Sequence, residues 1–315
     1  MLRRTTVALV ALCFAVPGCT AKPASAPSPS PSQSLIRSPS PSPVVLPSFD
    51  ARRVLAYDRV LAVTIGSREA TSPAYKRAAN YVAGVFAGFG YTVTRQRFPV
   101  PSGTSQGVPV GAGVTQNVIA TPPGYDPSRP HLVVGGHLDT VVPSPGGNDN
   151  GSGAAMVLEL ARLASLTTTK LPIVWIEFGA EERRRPGASG AIFGSRYYVA
   201  HMSAAERRSL HGMLAVDMVG NGPAFVCNTS LTGDDFLNAL LATATRLHLK
   251  AQRRVVVGLF SDHYAFEAAG FVVAWLWSGE NPTLHTPQDT IRVAQLSSID
   301  RIGRIAWETL RALRL

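Results

Sequence analysis

The chain has 315 residues, 45% hydrophobic and 16% charged, which excludes a wholly disordered protein, because disorder needs low hydrophobicity and high charge. Its net charge of +10 suggests a polyanionic partner, yet Arg3, Arg4, Lys22 and Arg37 fall within the first 49 residues, which hold no acid. Setting those four aside leaves 26 basic against 20 acidic residues, with no basic run beyond Arg183-Arg184-Arg185 and Arg253-Arg254, and so no nucleic-acid footprint.

Residues 1–19 read as an export signal. Arg3-Arg4 is followed by the apolar run Val7 to Val16, too short for a bilayer span, which takes roughly 20 apolar residues. The run ends in Val16-Pro17-Gly18-Cys19, which resembles the lipobox of bacterial lipoproteins, where the cysteine is acylated. Pro17 departs from the small or β-branched residue usual there, so an ordinary secretory signal is the alternative. Lipidation at Cys19 would place the protein on the outer face of the cell membrane; otherwise it is secreted. Residues 20–48 are dominated by Ser and Pro ("PSPSPSQSLIRSPSPSP") and read as an extended, disordered spacer lifting the domain at 49–315 off the membrane. Cys13 would leave with the signal and Cys19 would be acylated. Cys227 then has no disulfide partner and reads as a buried small hydrophobe.

Beyond Phe49, strand-length apolar runs alternate with amphipathic helical segments. Strands are expected at 131–138, 171–178, 213–219, 254–259 and 271–277, and helices at 75–89, 152–163, 234–249, 263–269 and 298–313. The alternation predicts an α/β fold, a mostly parallel β-sheet sandwiched between helices. In such sheets functional residues gather beyond the carboxyl ends of the strands.

The polar residues expected at those ends form a pattern. "VVGGHLDT" places His137 and Asp139 at one strand exit, and "PGGNDNGSG" offers Asp149 in a glycine-rich loop before a helix. "WIEFGAEE" ends in Glu181 and Glu182, "LAVDMVGNG" presents Asp217, and "NPTLHTPQDT" carries His285. Taken singly, each has a bland reading: a surface histidine, a helix N-cap at Asp149, a dipole-complementing pair at Glu181-Glu182. Together, acidic residues at consecutive strand exits have no structural need to be acidic. Two imidazoles and three carboxylates suit Zn²⁺, and a bridging carboxylate can hold two ions about 3.5–4 Å apart. A further carboxylate remains free to act as a base.

The ordered set "GGHLDT…GGNDNGSGAAMVLELAR…FGAEE…FGSRYYV…AVDMVG…SDHYAF…HTPQDT" resembles metallopeptidase family 28, the dizinc aminopeptidases, over about residues 70 to 312. The resemblance implies a zinc aminopeptidase/phosphorylase-hydrolase-like catalytic domain. It implies two zinc ions, one held by His137 and Asp217, the other by Glu182 and His285, with Asp149 bridging. Glu181 would be the general base and Asp139 a carboxylate orienting His137. Substrates would be peptides with a free N-terminus; the oligomeric state stays open.

The sequence departs from the family pattern at "RRRPGASGAIF", which intervenes between the Glu pair and Gly194-Ser195-Arg196 and reads either as shaping the mouth of the site or as a solvated loop. Ser261-Asp262-His263 cannot converge as a triad and is expected at the rim or as a helix cap, Asp289 as a turn or cap residue, and Trp275 and Trp277 as core in preference to pocket wall. Two other functions stay open: a glutaminyl-cyclase-like acyltransferase, which shares most of this ligand set but uses one zinc, and a non-catalytic binding lipoprotein.

Overall fold

The computed structural model describes residues 11, 13–15, 18, 47–228, 231–256, 258, 261–279 and 282–313. The unit Val45–Leu315 carries all the described secondary-structure elements. Cys19 and most of the Ser/Pro segment lie outside the described residues.

Helix α1 (Ala51–Asp58) starts where the Asp50 side chain accepts a hydrogen bond from Arg52 N at 2.9 Å, and it runs on as a π-helical turn, Arg59–Ile65. Helix α2 (Pro73–Gly88) has Ser72 as N-cap, bonded by Tyr75 N at 3.0 Å, with proline at its first position. Four strands follow: β1 (Thr92–Val100), the short hairpin β2 (Gly103–Ser105) and β3 (Val108–Val110), and β4 (Gly113–Thr121). The chain then alternates through β5 (His131–His137), α3 (Gly151–Leu166), β6 (Ile173–Phe178), α4 (Phe193–Ala200), α5 (Ala204–Ser209) and β7 (Leu210–Val216). It ends with β8 (Ala224–Asn228), α6 (Asp235–Arg246), β9 (Ala251–Val255), α7 (His263–Glu267), β10 (Val273–Trp277) and α8 (Leu296–Leu310).

Eight strands form one sheet in the order β1-β4-β6-β5-β7-β10-β8-β9; β2 and β3 pair separately. The centre, β6-β5-β7-β10, is parallel, as the apolar runs predict, whereas β4 pairs antiparallel with β6 and with β1, and β8 antiparallel with β10. The sheet is therefore mixed α/β around a parallel core. The expected strand at 254–259 forms three residues earlier, as β9.

Strand alternation sorts the core into two layers. Leu132, Val134, Trp175, Leu214 and Leu276 pack with residues of α1, α2, α3, α6 and α8, while Val133, Ile176, Phe178, Met213 and Trp275 pack with α4 and α7. Each such side chain taken fully from water contributes roughly 1.5–3 kcal/mol. Cys227 is buried in the second layer, where burial pushes its thiol up to about 12 and leaves it inert. Among the described residues no helix is long and apolar enough to cross a membrane.

The topology also makes a crevice. From β5 the chain returns through α3 to β6 on one side, then passes through α4 and α5 to β7 on the other side of β5. The connections diverge to opposite faces, leaving a cleft beyond the carboxyl end of β5.

Candidate metal centre

The expected site residues meet in that crevice. His137 is the last residue of β5, Asp149 precedes α3, Glu181 and Glu182 follow β6, Asp217 directly follows β7, and His285 lies eight residues past β10. His137 Nε2 stands 3.2 Å from Asp149 Oδ1 and 3.4 Å from Asp217 Oδ1. His285 Nε2 stands 3.0 Å from Asp149 Oδ2 and 3.2 Å from Glu182 Oε2. The two oxygens of Asp149 thus face two different imidazoles, each with a further carboxylate. Donor atoms of His137, Asp149 and Glu182 also lie within 4.8 Å of one another, a grouping that straddles both halves.

The donor set fits divalent cations. The five donors are buried except His285, which is half-buried, and Glu182 Oε1 has no hydrogen-bond partner. Buried carboxylates in excess of cations are costly unless compensated, and here the histidines supply the charge. Burial works against a charged His137, but Asp217, Glu181 and Asp149 outweigh it and raise its pKa well above the ordinary value. Burial likewise opposes charge on His285, yet its hydrogen bonds to Asp149 and Glu182 push it up to about 11. Glu182 is pushed up to about 7 by burial and by Asp149, and burial raises Glu181 well above the usual carboxylate range. Divalent cations held by N and O ligands at the same points would satisfy these carboxylates.

Backbone ties hold the donors. His137 Nδ1 is 3.1 Å from the Asp139 carbonyl oxygen and 3.9 Å from the Asp139 carboxylate. That carboxylate also accepts from Glu181 N (3.0 Å) and Glu182 N (3.2 Å), pinning the β6 exit. The side chain of Asn150, N-cap of α3, donates to His137 O and Val216 O and accepts from Gly153 N and Met218 N, joining the β5 and β7 exits. A Cβ at Gly153 would collide with Asn150 Oδ1 and Val216 O, so this approach requires glycine. The Asp149–Asn150 peptide is cis. Positive φ at Ala180, Met218 and His285 puts left-handed backbone beside Glu181, beside Asp217 and at His285, a common mark of functional sites.

Two further side chains support the centre, Asp289, expected as a turn or cap residue, and Arg68, which no motif announced. Asp289 is fully buried, and its carboxylate accepts from Asn148 N (2.9 Å) and Asp149 N (3.0 Å), holding the bridging residue's own amide. Buried Arg68 donates to the carbonyls of Leu138 (2.6 Å), Pro145 (2.7 Å) and Gly146 (3.2 Å), clamping both ends of the loop between β5 and Asp149.

The centre opens into a cleft of about 200 Å³, also lined by Arg183, Met218, Trp275, Trp277 and Leu284. Trp275 and Trp277 stack at 5.0 Å, so these core residues also form pocket wall. Ser261, Asp262 and His263 are fully buried rather than at the rim, with His263 stacked on Trp275 at 5.0 Å and no capping bond from Asp262. The insertion is not simply a solvated loop: Arg184 is buried and paired with Glu69.

Leupeptin-inactivating enzyme 1 of Streptomyces exfoliatus is 36% identical over 251 residues, 76% of this chain and 51% of that protein. The chain spans about half the length of the curated relatives it matches. Among solved structures, BSAP, a zinc aminopeptidase from Bacillus subtilis, superposes with a TM-score of 0.73 at 20% identity, covering 85% of this chain and 97% of that one. Fimbriiglobus ruber glutaminyl cyclase superposes with a TM-score of 0.71 at 20% identity, covering 88% and 100%. At these identities the two structures share the fold. With residues 117–310, well over half of the sequence and every donor position, matching Peptidase family M28, the chain belongs to that family.

Proposed function

We propose that the chain is a two-zinc aminopeptidase that releases N-terminal residues from peptides. The observation that carries this reading is Asp149, whose two carboxylate oxygens each face a different histidine paired with its own second carboxylate. His137, Asp217 and Asp149 Oδ1 would hold one ion; His285, Glu182 and Asp149 Oδ2 the other. Bound there, the ions would acidify a shared water and polarise the scissile carbonyl.

Glu181 makes none of the ion-pair contacts of the donor set, yet lines the same cleft. Burial raises its pKa, which suits a group that takes a proton from the attacking water and delivers it to the departing amine. The water oxygen joins the carbonyl carbon, the C–N bond breaks, and the proton leaves with the amine. The carboxylates of Glu181 and Asp217, both on the cleft, give a free α-ammonium a partner, and the indoles of Trp275 and Trp277 favour an apolar first side chain.

Elemental analysis coupled to a panel of aminoacyl-arylamides tests the reading. About two zinc ions per chain and chelator-sensitive release of N-terminal residues are expected. Metal without release from any substrate would overturn it; cyclisation of N-terminal glutamine with one zinc would put an acyltransferase in its place; peptide binding without turnover would leave a binding lipoprotein.

Export and anchoring through Cys19 complete the proposal, supported by the signal-like Arg3-Arg4 and Val7–Val16 run and by the lipobox-like ending. Cys19→Ala should move the protein from the membrane fraction to the medium or soluble fraction; unchanged fractionation would remove the anchor.

A further inference from the structure

His137 and His285 are oriented by different means. His137 ends a central strand and its Nδ1 meets a backbone carbonyl two residues on. His285 lies in a loop, and its Nδ1 is 2.8 Å from the side-chain amide of Gln106, 179 positions away in sequence.

Gln106 occupies the tip of the β2–β3 hairpin, where it and Gly107 have φ of 46° and 80°. Two-residue turns with positive φ at both centres favour Asn-Gly or Gly-Gly, and a non-glycine residue there costs roughly 1–2 kcal/mol. The turn gains nothing from a glutamine; reach to His285 is what the residue adds.

The hairpin itself is fastened by the arginine segment that follows Glu182. Thr104 N donates to Arg184 O (2.9 Å), Arg185 Nε to Ser102 O (2.9 Å) and Arg184 Nη2 to Gly111 O (2.5 Å). Val142 N donates to Ser105 Oγ at 2.9 Å. Glu182 and His285 are therefore linked through Arg184, the hairpin and Gln106.

We propose that Gln106 is a positioning residue for the half-site formed by Glu182 and His285, and that the hairpin sets how tightly this half holds its ion. The inference rests on the two-zinc reading. His285 Nε2 faces Asp149 and Glu182, so it must offer a lone pair to a cation, which leaves the ring proton on Nδ1. Nδ1–H then needs an acceptor, and Gln106 supplies Oε1 after a half-turn of its amide that exchanges oxygen and nitrogen in place. Such outer hydrogen bonds fix ring orientation, and removing one costs roughly 10–100-fold in metal affinity.

Full-length protein, stripped and reloaded with zinc, gives the test by native mass spectrometry and competition with a chromogenic chelator. Wild type should hold two ions. Gln106→Ala should hold one at wild-type affinity and the other roughly 10–100-fold more weakly. Gln106→Glu keeps an acceptor and should stay near wild type, whereas Gln106→Lys, which has only donors, should match or exceed the alanine defect. Equal melting temperatures of the metal-free forms would separate positioning from a general structural role. The inference is overturned if Gln106→Ala and Gln106→Lys bind both ions as wild type does, or if both ions weaken equally. A wild type that takes up a single ion sinks the two-zinc reading instead, and Gln106 is then judged by whether that one ion weakens in the alanine variant.

Discussion

The two halves of the centre share Asp149 but are built from different materials. The His137 half grows directly from strand ends: His137 closes β5, Asp217 follows β7, and Asn150 bonds the carbonyls of His137 and Val216 at 3.3 and 2.9 Å. The His285 half joins a post-strand turn to a loop whose histidine is half-buried and bonded by an exposed hairpin side chain. Backbone ties inside a sheet open only when the sheet opens, whereas a surface side chain can leave its partner locally. The difference teaches that one family of donors can contain a rigid half and an adjustable one, with a single carboxylate coupling them.

Breaking the coupling should have the largest effect. Asp149→Ala removes a donor from both halves at once, and buried like charges then lose both their bridge and their cations. Zinc content should fall below one per chain and aminopeptidase turnover below detection; a variant that keeps one tightly held ion would show that the halves are independent. Glu181→Gln should come next. Turnover should drop roughly 10²–10⁴-fold, the usual contribution of a positioned general base, while elemental analysis still finds two ions. Near-wild-type turnover would assign the proton transfer to another group.

Much of the centre was legible in the sequence, and less of what supports it. His137, Asp149, Glu181, Glu182 and Asp217 are each attached to a strand or helix end that an apolar run announces, so their convergence follows from the topology. His285 was legible from its motif after the Trp-rich strand, although seven residues intervene between it and β10. Asp139 does more than its motif announces: its carboxylate lies 3.9 Å from His137 Nδ1 and also accepts from the amides of Glu181 and Glu182, through a turn that the residue types do not specify. Arg68 and Gln106 carried no signal: their partners around the centre lie 70 or more positions away and offer backbone oxygens or one ring nitrogen. Asp289 looked like a cap, and it does bind backbone amides, but those of the Asp149 loop. In the fold, the parallel centre was announced by runs such as "LPIVWIEF", whereas β1 ("TVTRQRFPV") alternates with polar residues and its antiparallel pairing with β4 stayed hidden.

Asp289→Asn sharpens the comparison at a smaller scale. One oxygen can still accept, but the amide nitrogen then opposes a backbone N–H, leaving a buried donor unsatisfied at roughly 1–3 kcal/mol. Because the amides at stake are those of Asn148 and of Asp149 itself, both ions should weaken together, roughly 10-fold or more, in contrast to the single-ion defect expected of Gln106→Ala. A defect confined to one ion would show that Asp149 is positioned mainly by its side-chain contacts.

The mildest test is titration of the metal-free protein. Burial disfavours the charged ring of His285, but Asp149 and Glu182 outweigh it and push its pKa to about 11 from 6.5. A group with a higher pKa when folded adds stability that is complete below about pH 6.5 and fades as the pH climbs to about 11. His137 shifts in the same direction, and the raised pKa of Glu182, about 7 against 4.5, starts the decline at lower pH. The melting temperature of chelator-treated protein should therefore fall steadily with rising pH across this window. Zinc loading should displace the imidazolium protons, so calorimetry in buffers of different ionisation enthalpy should record proton release near neutral pH. Binding without proton release would mean that the histidines are already neutral, and that another cation, such as an arginine of the 183–185 segment, balances the carboxylates.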